Sequence, residues 1–333
     1  MLFAVLIARD EAARIGPCLA ALAPHVDAML VLDTGSRDAT AAIAEQAGAL
    51  VHHMVWPDDF AKARNHALQL AEAAGALWHL VVDADEVLSE GGPALRGFCS
   101  GPPRLGRVWI ESEDDSIAGH VQHSRACMTR VLPAGTRYQG RVHEQVVSDL
   151  PRIDLPVRFA HSGYRGAQRA AKQGRNRRLL EAELADHPHD PYLAFQLARE
   201  DEGDGDMARA AAAYRALFDR VDATAPWHHD LTIRMLHCLG QSGRRGEAMA
   251  LVEALIQPFA HSPDFFFTMG NLCLDAALDD PARAAAQWLP AARAAWQRCL
   301  ALGERPDLSG SVAGRGSWLA QHNLDALAAA LPA

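Results

Sequence analysis

The sequence predicts an α/β domain built on a mostly parallel sheet, followed by an all-α domain. Three observations lead there. Over the first 90 residues apolar runs alternate with helical stretches of about 10–15 residues, the pattern of strands joined by crossover helices. Strand-like segments then become shorter and less regular. From about residue 167 onward the chain reads as one helix after another. Its 333 residues suffice for two such domains.

Each element follows from its pattern. "LFAVLIA" (2–8) is continuously apolar, as a strand covered on both faces should be. "EAARIGPCLAALAPH" repeats Ile15, Leu19 and Leu22 at helical spacing. "AMLVLD" (28–33) is the second strand, and "DATAAIAEQAG" is a helix stopped by Gly48. "ALVHHMV" gives a third short strand, and Pro57-Asp58-Asp59 starts a helix from about Phe60 to Ala74. "LWHLVV" (77–82) is the fourth strand. "RVWIES", "RVLPA" and "PVRFAH" follow as short strands, with the acidic "ESEDDS" (111–116) as a solvated loop. "AQRAAKQGRNRRLLEAELADHP" is a charged connecting helix whose Lys172, Arg175, Arg177 and Arg178 form a solvated face. The expected layout is a sheet domain over 1–166, a connector over 167–189 and a helical domain over 190–333.

Within the helical part a small-large-apolar spacing recurs at Ala210, Tyr214, Leu217, at Ala248, Val252, Leu255 and at Ala292, Trp296, Cys299. The intervals of 38 and 44 residues are stretched relative to the tetratricopeptide period of about 34. Small alanines where helices cross let paired helices stack closely, so these units resemble degenerate tetratricopeptide repeats, with an ordinary bundle as the alternative. Trp227, Phe265, Phe266, Phe267, Trp288 and Trp318 are expected between the repeats rather than as acceptor platforms.

Composition narrows the function. A net charge of −9 argues against nucleic acid as a partner. No apolar run approaches the ~18 residues of a membrane span. The N-terminal run lacks a basic start and passes into Arg9-Asp10-Glu11, so it reads as a first strand rather than a signal peptide. Six cysteines at 18, 99, 127, 238, 273 and 299 form no C-x-x-C pair, as expected of reduced thiols in a cytoplasmic protein.

The chemistry gathers at strand ends. Ligands of open α/β sheets bind outside the carboxyl ends of the strands. Here three strands run into "ARDEA", "DTGSRDAT" and "DADE". Asp33 offers a carboxylate before a tight turn, suited to a nucleobase or ribose. In an extended chain Asp83 and Asp85 share one face. Both are hard oxygen ligands suited to Mg²⁺ or Mn²⁺. A cation there neutralises the charge on a departing nucleoside diphosphate. On its own D-x-D occurs by chance in many soluble proteins; aligned with the other two strand ends it is specific.

Taken together, "ARDEAARIGPCLAAL", "AMLVLDTGSRDATAAIAEQAGA", "VWPDDFAKARNHAL" and "WHLVVDADE" resemble family 2 glycosyltransferases, in that family's order and spacing. The resemblance implies a GT-A, Rossmann-like fold and an inverting transfer of sugar from a nucleoside-diphosphate sugar, a UDP-sugar by family precedent. It is similar to bacterial members with tetratricopeptide-like repeats, some acting on peptides, and to lipopolysaccharide-core glucosyltransferases. It implies base contact for Asp33, nucleotide-sugar contacts for Glu11, Arg64 and Asn65, ribose and metal-bound water for Asp83, and metal ligation for Asp85. "GRVHEQV" places Glu144 near the acceptor, and "FAHSGY" places His161 where a metal or diphosphate contact is supplied. Asp10 stands where asparagine is usual. The family's frequent Glu-Asp base pair is not evident, leaving Glu144, then His143, as candidate base, with an ion pair to Arg141 or Arg130 as the plainer role of Glu144.

The acceptor stays open between a peptide and a saccharide or lipid-linked glycan, as do peripheral membrane attachment and a homo-oligomer formed through the helical domain. The doublets His52-His53 and His228-His229 read as structural or surface residues. "VVDADEVL" also fits the haloacid-dehalogenase-like phosphatase pattern, but three β–α units precede it where that family uses its first strand. No G-x-G-x-x-G follows the first strand, which excludes a dinucleotide oxidoreductase, and no Gly-rich basic loop marks a pyrophosphorylase. A nucleotide-sugar-binding scaffold without catalysis is the remaining rival.

Overall fold

The structure, a computed structural model, describes residues 1–117, 120–161 and 167–330. The chain divides into two compact units, Met1–Glu183 and Leu184–Ala333.

The first unit begins with β1 (Leu2–Ala8), α1 (Ile15–Leu22), β2 (Ala28–Asp33), α2 (Thr40–Gln46), β3 (Leu50–His53), α3 (Phe60–Ala73) and β4 (Trp78–Val81). β5 (Glu86–Glu90), α4 (Ala94–Cys99), β6 (Leu105–Ile117), β7 (His120–Pro133), β8 (Arg137–Gln139), β9 (Gln145–Val147), β10 (Arg152–His161) and α5 (Ala167–Asp186) follow. Eight strands form one sheet in the order β3-β2-β1-β4-β7-β6-β10-β5, while β8 and β9 pair apart from it. The four strands from β3 to β4 are mutually parallel, so their carboxyl ends share one edge. Beyond them β7 runs antiparallel to both β4 and β6.

Alternation within β1 builds both layers. Leu2, Ala4, Leu6 and Ala8 enter the core with Ile15, Leu19 and Leu22 of α1. Phe3 and Val5 face the other way, against Ala67 and Leu68 of α3. Each fully buried Leu or Phe contributes about 1.5–3 kcal/mol. α3 starts where the sequence places it, because the Asp59 side chain accepts from the Lys62 amide at 2.8 Å.

Two expectations are corrected. The strands beyond residue 90 are not all short: β6 and β7 span 13 and 14 residues. "ESEDDS" accordingly lies in β6 rather than in a loop, since its backbone is paired with β7; its side chains from 113 on lie outside those described, as does that of Lys172. Residues 162–164 of "FAHSGY" also fall outside the described residues.

The second unit is helical: α6 (Pro191–Gly203), α7 (Met207–Phe218), α8 (His228–Gln241), α9 (Arg245–Leu255), α10 (Pro263–Asp279), α11 (Pro281–Arg283), a π turn over Ala284–Trp288, α12 (Leu289–Leu302) and α13 (Trp318–Ala330). Helix starts are capped by Asp190, Asp206 and Ser262. The recurrent small-large-apolar triplets lie on α7, α9 and α12, the second helices of successive pairs, and all but Leu255 are buried. Close stacking needs small residues: a Cβ on Gly270 of α10 would lie 2.4 Å from Trp296 Nε1 of α12. Phe265, Phe266 and Phe267 are interior, and Trp227 stacks on Phe195 at 4.8 Å.

The segment between α12 and α13 runs back across the starts of α8 and α10. His229 spans Ser309 O (2.6 Å) and Ser262 Oγ (2.7 Å), and Asp264 Oδ1 accepts from Val312 N (3.0 Å) and Arg315 Nη1 (3.1 Å). Among the described residues no helix is long and apolar enough to cross a membrane.

Candidate functional site

The parallel strand ends assemble the site. Asp33 closes β2, directly beside Ala8 of β1 and His53 of β3 in register. The following turn needs Gly35 at φ +103°, and folds the Gly35 and Ser36 amides onto Asp33 Oδ1, both at 2.9 Å. The other oxygen, Oδ2, is buried and has no hydrogen-bond partner among the described residues. Burial pushes the Asp33 carboxyl up; the bonds from Ser36 and Gly35 and the nearby His53 outweigh it and hold it below the usual range. Asp33 lines a cavity of about 610 Å³ together with Arg9, Thr34, Gly35, Ser36, His53, Met54, Val55 and Trp56. His53, read from the sequence as a surface or structural residue, is thus a wall of this cavity, because strand register sets it against Asp33.

"ARDEA" and "DTGSRDAT" are stitched to each other. Asp10 N donates to Ser36 Oγ (3.0 Å), Arg37 N to Asp10 Oδ1 (2.7 Å) and Glu11 N to Thr40 Oγ1 (2.7 Å). The Glu11 carboxylate pairs with Arg14.

β4 ends at Val81, and residues 83–86 form a turn rather than continuing the strand. Glu86 N donates to Asp83 O and the Glu86 carboxylate accepts from Asp83 N, both at 3.0 Å. The extended alternation that would set Asp83 and Asp85 on one face therefore stops, and the two acquire different neighbours. Asp83 accepts from Arg64 Nη2 on Oδ1 and from Arg130 Nη2 on Oδ2, each at 2.7 Å. Arg130 Nη2 also reaches Glu86 at 2.7 Å. Asp85 meets His161 Nε2 at 3.3 Å, and His161 Nδ1 meets Ser112 Oγ at 3.1 Å.

Burial penalises the Asp83 charge, but Arg130 and Arg64 outweigh it and hold the carboxyl well below the usual range. Its side chain keeps 34% of its surface, so solvent screens part of that pull. Glu86 goes the other way: burial, aided by Asp83, prevails over Arg130 and raises it to about 7. Arg130, named from the sequence only as an ion-pair partner of Glu144, holds Asp83 and Glu86 instead.

α3 carries the opposite wall. Arg64, 7% exposed, bridges Asp83 and Glu144, its Nε bonding Glu144 Oε1. The ion-pair partner of Glu144 is thus Arg64, not Arg141 or Arg130; Arg141 pairs with Glu183 at 3.2 Å. Asn65 turns to the backbone of β8: its amide donates to Tyr138 O (2.9 Å) and accepts from Tyr138 N (2.8 Å), as a neighbouring strand's peptide would. Phe60 N donates to Arg141 O at 2.8 Å. His143, just before Glu144, has φ +53°, a left-handed conformation uncommon outside glycine.

Residues 3–95 match the family model for glycosyl transferase family 2. The first unit carries a family 2 glycosyltransferase domain. A TPR repeat-containing protein of Synechococcus elongatus is 38% identical over 221 residues, covering 62% of this chain and 53% of that protein. The SPbeta prophage-derived glycosyltransferase SunS of Bacillus subtilis is 26% identical over 208 residues, covering 59% and 48%. The chain spans about half the length of these curated relatives. Among solved structures, a Mycobacterium tuberculosis glucosyl-3-phosphoglycerate synthase complex with Mn²⁺, UDP and glucosyl-3-phosphoglycerate is 23% identical over 34% of this chain and 43% of that one, with a TM-score of 0.26. A sheet unit whose residues 3–95 match family 2 glycosyltransferases is thus followed by a helical unit.

Among the described residues no group of three or more His, Cys, Asp or Glu is placed to hold a metal ion. The Asp85–His161 pair offers two ligands. That donor set fits Mg²⁺ or Mn²⁺, which complete their shells with phosphate oxygens and water.

Proposed function

We propose that this protein transfers a sugar, with inversion, from a UDP-sugar to an acceptor hydroxyl. The observation that carries the reading is Asp33, a carboxylate lining the cavity at the sheet's carboxyl edge with one oxygen unpartnered. One free acceptor oxygen suits a base edge that presents a single N–H between carbonyls, as uracil does. The four nucleoside diphosphates of the titration below decide which base it takes. The volume is that of a small-molecule site.

Asp85 and His161 would hold the divalent cation, which when bound supplies positive charge to the diphosphate. Arg64 and Arg130 keep Asp83 ionised and fixed. Glu144 is the base: it accepts the proton of the acceptor hydroxyl as that oxygen bonds the anomeric carbon and the diphosphate leaves with its electron pair. His143 is the second candidate for that role. The helical unit would recognise the acceptor, a peptide or a glycan.

Thermal-shift and calorimetric titrations with UDP, GDP, CDP and ADP, with and without Mn²⁺, test this. A metal-dependent response to UDP, lost in Asp33→Ala and Asp85→Ala, is expected. If no nucleotide shifts the wild-type protein, the reading fails. One observation favours a second reading, a scaffold that binds without turnover: both oxygens of Asp83 and one of Glu144 are already engaged by arginines. UDP binding without hydrolysis or transfer of any UDP-sugar would select it.

A further inference from the structure

We propose that Arg64 is a positioning residue for the transfer step: by sharing one guanidinium between Asp83 and Glu144 it sets the base against the donor. This rests on Glu144 being the base.

Arg64 is the single described side chain that contacts both carboxylates, Asp83 through Nη2 at 2.7 Å and Glu144 through Nε. It engages Glu144 through Oε1, and Oε2 takes no hydrogen bond among the described residues, so that oxygen is available to an acceptor proton. The carboxylate is 11% exposed and follows His143, whose left-handed backbone persists only where its surroundings hold it. Three holding contacts come from the first turns of one helix, Phe60 to Arg141, Arg64 to Glu144 and Asn65 to Tyr138, and Glu183 of α5 adds another at Arg141. A buried ion pair is seldom the most stable filling for such a space, so stability alone does not account for a guanidinium here. In the step it serves, the acceptor O–H bond breaks toward Glu144 Oε2. The acceptor oxygen bonds the anomeric carbon, and the bond from that carbon to the diphosphate oxygen breaks with its electrons leaving on UDP.

The test is a double-mutant cycle on UDP release with water as acceptor, using UDP-glucose, UDP-galactose and UDP-N-acetylglucosamine as probes. Wild type, Arg64→Ala, Arg64→Lys, Glu144→Gln and Arg64→Ala/Glu144→Gln are compared, with UDP affinity measured alongside in Mn²⁺. Misplacing a base by an ångström costs about 100-fold, so each single variant should lose roughly that in kcat. The double variant should lose no more than Glu144→Gln, because Arg64 acts through Glu144 while Arg130 still holds Asp83. UDP affinity should stay within about threefold, and added guanidinium should restore Arg64→Ala but not the double variant. Losses that multiply in the double variant overturn the proposal. So does a fall in UDP affinity matching the fall in kcat, which would make Arg64 a donor ligand. Should Arg64→Ala not fold, the same cycle with Arg64→Lys decides. If wild type binds UDP but releases none from any probe, or does not bind it, the transferase reading itself fails and this proposal with it.

Discussion

Replacing Asn65 by alanine removes the amide that stands in for a missing strand. Both main-chain polar groups of Tyr138, a residue 6% exposed, lose partners at 2.8 and 2.9 Å. Leaving a buried donor or acceptor unsatisfied costs about 1–3 kcal/mol each, so roughly 2–6 kcal/mol is expected for the pair. In a unit the size of Met1–Glu183, each kcal/mol moves the midpoint by about 2–4 °C, giving a drop of roughly 4–24 °C. Differential scanning calorimetry of the full chain reads this directly, in the transition of the first unit. Asn65→Asp should fall between, since a carboxylate still accepts from Tyr138 N–H but sets oxygen against oxygen at Tyr138 O. Sugar-nucleotide hydrolysis should fall in parallel, because the loop carrying Glu144 follows β8. A midpoint within about 1 °C of wild type would refute the clamp, as would an Asn65→Asp variant less stable than Asn65→Ala.

Three further outcomes are expected. His79 is fully buried, both its ring nitrogens lack hydrogen-bond partners among the described residues, and burial lowers it to about 4. The unfolded chain therefore takes up a proton below about pH 6.5 that the folded chain refuses, and His79 costs stability as pH falls from 6.5 toward 4. His79→Leu should raise the midpoint by the equivalent of about 1–2 kcal/mol at pH 7, and by more at pH 5; a melt at both pH values checks this, and a lower midpoint contradicts it. Gly310 sits at φ +70° with room for a Cβ only 2.3 Å from Asp230 Oδ1, so Gly310→Ala should free the 304–317 segment to proteolysis while the first unit's melt stays unchanged. Burial raises all six thiols, to about 11 for Cys99, Cys127 and Cys273 and about 12 for Cys238 and Cys299. A disulfide reagent at pH 8 should therefore react slowly with native protein and with six groups after denaturation; fast native reaction would count against the placement of these side chains.

What could be read from the sequence was local. Four strands, their helices and the Asp59 cap followed from periodicity and start signals within a dozen residues of each other, and Asp33 stood out because its strand ends there. The missed features depend on partners far along the chain. Arg64 meets Glu144 across 80 residues, and Arg130 meets Asp83 across 47, through an antiparallel strand that nothing near "DADE" announces. The length of β6 was hidden because acidic residues in "ESEDDS" mimic a loop, whereas pairing with β7 extends the strand through them. His53 looked like half of a surface doublet until register set it beside Asp33. The turn at 83–86 likewise comes from the Glu86 carboxylate accepting from the Asp83 amide, a contact that alternation cannot express.

The first turns of α3 work as a ruler. Phe60, Arg64 and Asn65 touch Arg141, Glu144 and Tyr138, and all three contacts ride on one rigid rod. A slide of that rod by one residue, about 1.5 Å, would move every graduation together. Asp59, which touches none of these groups, fixes the rod's zero mark through the Lys62 amide. A cap ordinarily counted as a contributor to helix stability is here the datum from which the placing of Glu144 against Asp83 is measured.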